Sequence, residues 1–209
     1  MEEQIINMPA VALRGLTILP GMIAHFDVSR ERSLRAVEEA MEQDQKIYLV
    51  TQRNVDSEDP TQEDLYQMGI VADIKQVVRL QNDVVRILVD GISRAALLGF
   101  TGNEKYLEAE ICYCDSNADS LPEDLREAML LGVREAFHRY AAVVGKISKE
   151  LIRQIDQYED LEKLIDYVTN NLPVSYELKQ QVLEAEDIND RYQVIVSLLL
   201  SQVEVISIK

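Results

Sequence analysis

Basic residues are scarce in this chain. Its 209 residues carry 21 Lys+Arg against 37 Asp+Glu, a formal charge of −16. A protein that wraps phosphates needs a basic face, because neutralising them supplies most of the non-specific affinity. The average surface therefore repels DNA, RNA and anionic lipid. Cysteine is scarcer still: Cys112 and Cys114 stand at i and i+2, which in a strand puts both thiols on one face. That arrangement disfavours a disulfide and supplies too few ligands for zinc, so both are read as free thiols. Long apolar runs are also missing, since Val194 to Leu200 is interrupted by Ser197 and falls short of the ~18–20 residues that span a bilayer. The start, MEEQIIN, is acidic and has neither a basic n-region nor an apolar h-region, so it is no secretory signal. These absences lead us to expect a soluble cytoplasmic protein with no membrane segment.

Catalytic signatures are absent as well. No P-loop is found, and Gly145-Lys146 is followed by Ile147 between expected helices rather than between strand and helix. GxSxG and HExxH do not occur. His25 and His138, the only histidines, fall in different halves, one in an expected strand and one on an expected helix, without a local nucleophile and carboxylate to complete a set. The acidic cluster Asp56, Glu58, Asp59, Glu63 and Asp64 lacks the ligand period and central glycine of an EF-hand and reads as a solvated loop and helix start. We expect no catalytic, cofactor-binding or metal-binding residue in this chain.

What is present is enough for a core. Hydrophobic residues make up 47% and charged residues 28%, ordinary globular usage that rules out a solvated polyelectrolyte. The two halves read differently. Up to about Cys114, short β-branched or alternating runs recur: KIYLVTQ (46–52), GIVADIKQVVRL (69–80), VVRILVDG (84–91) and YLEAEICYC (106–114). They predict an antiparallel, barrel-like sheet, with 69–80 and 84–91 paired through the turn Gln81-Asn82-Asp83. Residues 29–44 place Leu34, Val37 and Met41 on one helical face, with Ser29 as N-cap. Thr61 and Asp64 suggest a capping box for a short helix ending at Gly69.

Beyond Asp115 the period becomes helical. Pro122 suits a first helical position, followed by Leu125, Met129, Val133, Phe137 and Tyr140. Ser148 and Ser175 are expected caps, and Leu161, Leu164, Ile165 and Val168 stack on a helix stopped by Pro173. A last helix starts near Asp187 and lines up Ile188, Tyr192, Ile195, Leu199, Val203 and Ile206. We place the division near 116, with 1–115 as the barrel subdomain and 116–209 as a helical bundle. Charge does not separate them, since 1–115 holds 11 cationic against 20 acidic side chains and 116–209 holds 10 against 17.

Several motifs in order, LRGLTILPGM (13–22), DVSRERSLRAVEEAM (27–41), DPTQEDLYQMGIVADI (59–74), VRILVDGISRAALLGF (85–100) and LPVSYELKQQVLEAEDINDRYQVIVSLLL (172–200), resemble the N-terminal domain of the bacterial Lon protease family. The resemblance covers nearly the whole chain. It implies an α+β fold, a PUA-like β-barrel with a packed helix followed by a helical bundle. For a full-length relative it further implies an ATP-dependent serine protease that uses ATP and Mg, self-associates as a hexamer, and degrades misfolded and short-lived regulatory proteins. No position of this chain matches the family's nucleotide-binding or Ser-Lys residues. The final helix is still amphipathic at Ile206 and carries no stop signal, so we expect the protein to continue toward ATPase and protease domains. A stand-alone binding or adaptor protein is the alternative, and an RNA-binding PUA-like module is disfavoured by the charge.

Holding many unrelated unfolded segments requires exposed apolar surface rather than a shaped pocket. Leu16, Ile18, Leu19, Met22 and Ile23 crowd a segment broken by Gly15, Pro20 and Gly21, and they are the expected contacts for unfolded or misfolded protein substrates. The competing expectation is that they pack on the first helix or seal the barrel end. The acidic surface would keep such a patch soluble and favour clients that pair apolar with basic residues.

Overall fold

In a computed structural model, which describes residues 4–208, the run KIYLVT forms strand β3 (Lys46–Thr51), and every residue after Lys46 is buried. Ile47 and Leu49 enter one apolar cluster with Val11, Ile70, Ile87 and Val89. Tyr48 and Val50 enter a second with Ala10, Val71, Leu97 and Ile111. A strand covered on both faces reads as a continuous apolar run, the pattern associated with parallel pairing. β3 runs parallel to β1 (Ile5–Leu13), with Ala10 opposite Tyr48. Here the structure corrects the expected all-antiparallel sheet: β2 (Ile23–Val28) and helix α1 (Glu31–Glu42) lie between β1 and β3 and supply the crossover that a parallel return needs.

The remaining pairings are antiparallel and close on themselves. β3 pairs with β4 (Met68–Arg79), and β4 with β5 (Val85–Phe100) along nearly its whole length. The first half of β5 holds β2, while its second half holds β6 (Glu108–Tyr113). β6 also pairs with β1, so β1, β3, β4, β5 and β6 form a ring with β2 as a sixth strand on β5. The β4–β5 hairpin turns through Asn82 and Asp83, both left-handed at φ 61° and 60°, which matches a type I′ turn.

Local differences from expectation have simple causes. Helix α1 is capped by Arg30 backbone with no side-chain bond, so Ser29 is not its cap. Its buried face is Ser33, Ala36, Val37 and Ala40, a ridge of small residues that lets the helix approach the strands, while Met41 is exposed. The Thr61–Asp64 capping box forms, but around a single 3-10 turn, Gln62–Asp64. Gly69 belongs to β4, where a Cβ would stand 2.5 Å from the Leu49 carbonyl oxygen.

The chain divides into two compact units, Met1–Cys114 and Asp115–Lys209. The second is a bundle of α2 (Glu123–Val144), α3 (Lys149–Gln157), α4 (Leu161–Asn170), α5 (Tyr176–Glu184) and α6 (Ile188–Ile208). Val133 and Phe137 on α2, Leu164, Ile165 and Val168 on α4, and Ile195 and Leu199 on α6 are fully buried. Ser148, Asp160 and Ser175 accept from Leu151, Lys163 and Leu178 backbone N–H groups, each satisfying an orphan donor of a helix start. Pro122 is the N-cap of α2 rather than its first residue, and Leu125 faces outward.

Among the described residues, α6 is the one helix long and apolar enough to cross a membrane, although its uninterrupted apolar run is short. It packs against α2, α4 and α5 of its own unit. Arg191 on its inner face is 2% exposed, which is costly in lipid.

Candidate functional site

The segment Leu16–Ile23 leaves β1 and turns into β2, and it is fastened at both ends. Thr51 Oγ1 donates to the Leu16 carbonyl at 2.7 Å. Leu19, Pro20, Gly21 and Met22 make a turn closed by Met22 N–H to Leu19 O at 3.1 Å. Proline second and a glycine at φ 80° third are what a type II turn requires. Gly21 N–H then donates to Gly91 O at 2.8 Å, and Gly91 N–H to Met22 O at 2.9 Å, extending the β2–β5 pairing beyond the strand itself. Gly91 permits this approach: a Cβ there would lie 2.4 Å from Leu19 O and 2.8 Å from Ile70 Cδ1.

This fastening splits the five residues expected as substrate contacts. Ile18 is 1% and Leu19 0% exposed, with Ile18 inside the first apolar cluster. Both are core in this fold, because the turn carries their side chains inward, and neither is available to a client. Leu16 and Met22 are half-buried against the same cluster. Ile23 is 67% exposed and faces Asp90 across the β2–β5 pair. Two residues on, Ile92 is exposed as well. Gly91 is shared by Gly21 and Met22, and β5 shifts register against β4 at Ile92, with Ala72 opposite Gly91 and Val71 opposite Ser93, so Ile23 and Ile92 are two exposed apolar residues at the same end of the β2–β5 pair, Ile23 on its outer face. Half-buried Leu88, opposite His25, extends that face. Sequence pattern pointed to Ile23 but passed over Ile92 and Gly91, whose roles arise from pairing across some seventy residues.

Behind the segment a cleft of about 270 Å³ opens between the end of β1, the end of β2 and the start of α1. Leu16 and Phe26 form apolar wall; Arg14, Ser29, Arg30 and Ser33 supply polar atoms. Arg30 Nη2 donates to Gln52 Oε1 at 2.8 Å and to Ser57 O at 3.0 Å. Burial holds its guanidinium below the usual arginine range, the Arg14 charge lowers it further, and Asp59 and then Glu58 act in the opposite direction. Asp27 reaches the rim, but Arg86 engages both of its oxygens, Oδ1 at 2.8 Å and Oδ2 at 3.2 Å.

The other chemically suggestive residues do not converge. His25 is exposed on β2, while His138 Nε2 lies 2.7 Å from Asp156 Oδ1 on the surface of the helical unit. Cys112 is buried and Cys114 half-buried, both free, with Cys114 Sγ 3.4 Å from Met68 Sδ. Among the described residues no group of three His, Cys, Asp or Glu could hold a metal. A nucleotide phosphate does not fit at Gly145-Lys146: Gly145 is the left-handed C-cap of α2, its N–H committed to Ala141 O at 3.0 Å.

The fold is shared with solved structures. The N-terminal domain of Mycobacterium avium complex Lon protease superposes with a TM-score of 0.75 at 18% identity, over 93% of this chain and 98% of that one. The Lon N-terminal domain protein from Xanthomonas campestris gives 0.62 at 13%, over 92% and 98%. By architecture, then, the chain shares the fold of these two domains. In sequence it matches the family described as the ATP-dependent protease La (LON) substrate-binding domain over residues 7–201, and the chain belongs to that family. It is 36% identical over 209 residues to Lon protease of Lachnoclostridium phytofermentans, covering 100% of this chain and 26% of that relative. For Lon protease of Clostridioides difficile the figures are 34% over 206 residues, 97% and 26%. Lon protease 1 of Bacillus subtilis is 31% identical over 208 residues, 100% and 27%. The chain thus spans about a quarter of the length of these relatives.

Proposed function

We propose that this chain is the substrate-recognition and assembly part of an ATP-dependent serine protease that degrades misfolded and short-lived regulatory proteins in the cytoplasm. The match to the LON substrate-binding domain over residues 7–201 carries the reading. ATP, Mg and the Ser-Lys chemistry belong to residues of the full-length relatives that this chain does not contain, and so does most of a hexameric ring. Recognition is the task left to these residues.

The client face on this reading is the ridge of Ile23 and Ile92, flanked by half-buried Leu88, with Leu16 and Met22 behind it. An apolar side chain of an unfolded segment would cover surface that the sheet already holds in place, so little entropy is lost on the domain's side. The surrounding acidic surface would keep the exposed patch from self-association. The test is a double variant, Ile23→Ser with Ile92→Ser, titrated with a reduced and alkylated model protein. Both positions are exposed, so the fold should persist by circular dichroism. Losing two apolar contacts of about 1 kcal/mol each weakens binding by more than tenfold. Unchanged affinity with an intact fold would remove the ridge as the client site.

A further inference from the structure

We propose that the cleft behind the Leu16–Ile23 segment receives a peptide carboxylate flanked by an apolar side chain, with Arg14 and Arg30 holding the carboxylate and Leu16 and Phe26 covering the apolar neighbour. The inference rests on the reading of this domain as a polypeptide-binding one and specifies which polypeptides it prefers.

Charge complementarity points to this occupant. In a chain with 37 acidic and 21 basic residues, a guanidinium readily finds a carboxylate, and Arg86 and Arg35 do so. Arg14 has no hydrogen bond or ion pair among the described residues, and it stands near enough to Arg30 for the two charges to oppose each other. Arg30 spends one terminal nitrogen on Gln52 and Ser57, and its Nε and Nη1 have no acceptor among the described residues. The nearby carboxylates offset the charge of Arg30 from a distance but do not bond to either arginine. Asp27 is held by Arg86, and exposed Glu58 and Asp59 form no ion pair with either arginine. A carboxylate placed between two guanidinium groups gains charge-assisted, forked hydrogen bonds and relieves their repulsion.

Size and lining narrow the ligand. At about 270 Å³ the cleft is smaller than the ~300–1,000 Å³ of drug-sized ligand sites, so it suits one or two side chains rather than a cofactor. Leu16 and Phe26 are half-buried and rest on the first core cluster, a firm apolar floor. The carboxylate could come from an Asp or Glu side chain or from a chain terminus, and both offer the same two oxygens.

The test uses four fluorescent decapeptides on the full chain: Leu-Asp internal with an amide end, a terminal Leu with a free carboxylate, the same terminal Leu amidated, and a neutral Leu-Asn peptide. One charge-assisted contact predicts that at least one of the two carboxylate peptides binds about tenfold more tightly than its neutral counterpart, and the arm that does so names the source. Arg14→Gln, at an exposed and unpartnered position, should abolish most of that preference, and so should raised ionic strength. Equal binding of charged and neutral peptides, or a preference that survives Arg14→Gln, overturns the proposal. Failure of the broader reading is separately visible: the alkylated model protein would then not bind, while the carboxylate preference and its loss in Arg14→Gln would still stand for the cleft.

Discussion

Arg191 and Glu162 join α6 to α4 at 3.2 Å, Nη1 to Oε1, with the arginine 2% and the glutamate 42% exposed by side chain. The same guanidinium donates from Nε to Ala185 O and from Nη2 to Glu186 O, both at 2.9 Å, so it satisfies the carbonyls where α5 gives way to α6. The ion pair is the smaller part of this arrangement, because Glu162 can return to water. Arg191→Met should cost about 3 kcal/mol, since two carbonyls lose their donor as well as the pair. Glu162→Gln keeps an acceptor and should cost about 1 kcal/mol. Urea unfolding of both variants checks the order, and a Met variant as stable as the parent would contradict it.

Gly91 should tolerate nothing larger. Alanine there meets Leu19 O at 2.4 Å, and backbone cannot swing away as a side-chain tip can, so Gly91→Ala should lose about 1–3 kcal/mol. It should also loosen Leu16–Ile23, seen as faster proteolytic nicking in that segment. Gly21→Ala is the contrast: nothing lies within 4 Å of its Cβ, but φ is 80°. Its cost should be backbone strain of about 1–2 kcal/mol.

The turn between β4 and β5 is improvable. Asp83 occupies φ 60° after Asn82 at φ 61°, conformations that glycine adopts without a steric penalty. Asp83→Gly, giving Asn-Gly in a type I′ turn, should stabilise the first unit by about 0.5–1 kcal/mol. A higher urea midpoint with an unchanged slope is the expected reading.

Alkaline pH should weaken the first unit through Tyr106. Burial and then the hydrogen bond to Glu108 Oε2 at 2.9 Å push its phenol up to about 12. The folded state therefore favours the neutral phenol. Its contribution is complete below pH 10, where the unfolded tyrosine begins to ionise, and is lost as pH rises from 10 to 12. Tyr106→Phe should flatten the fall in the first unit's stability over that window, whereas Tyr140 and Tyr167, which burial also raises, lie in the second unit and act there. A slope identical to the parent's would place the linkage elsewhere.

Local chemistry was the legible part of this sequence. Asn82-Asp83 marks its own turn, Ser148 and Ser175 announce helix starts, and the apolar stripe of α4 is buried as its spacing implies. These features depend on neighbours a few residues away. The β1–β3 direction was not legible from alternation, because period 2 carries no sense of parallel or antiparallel; the unbroken run KIYLVT was the available clue. Ile18 and Leu19 shared composition with Ile23, yet whether a side chain in that segment faces in or out is decided by the approach of Leu19 to Gly91. Likewise Ser33, Ala36 and Ala40 form the buried face of α1 because small residues fit beneath the strands, which hydrophobicity alone ranks below Leu34 and Met41.

The double pairing of β6 has a consequence during synthesis. Ile5 finds Cys112, and Ala96 finds that same residue from the other side, so the last strand of the first unit completes two ladders at once. Until Glu108–Tyr113 leaves the ribosome, β1 and the second half of β5 remain open edges, each able to recruit a stray strand. Closing the ring then spans about a hundred residues, an entropic step that slows folding. A nascent chain arrested just before Glu108 would thus be the most aggregation-prone length of this unit, although it lacks only one strand.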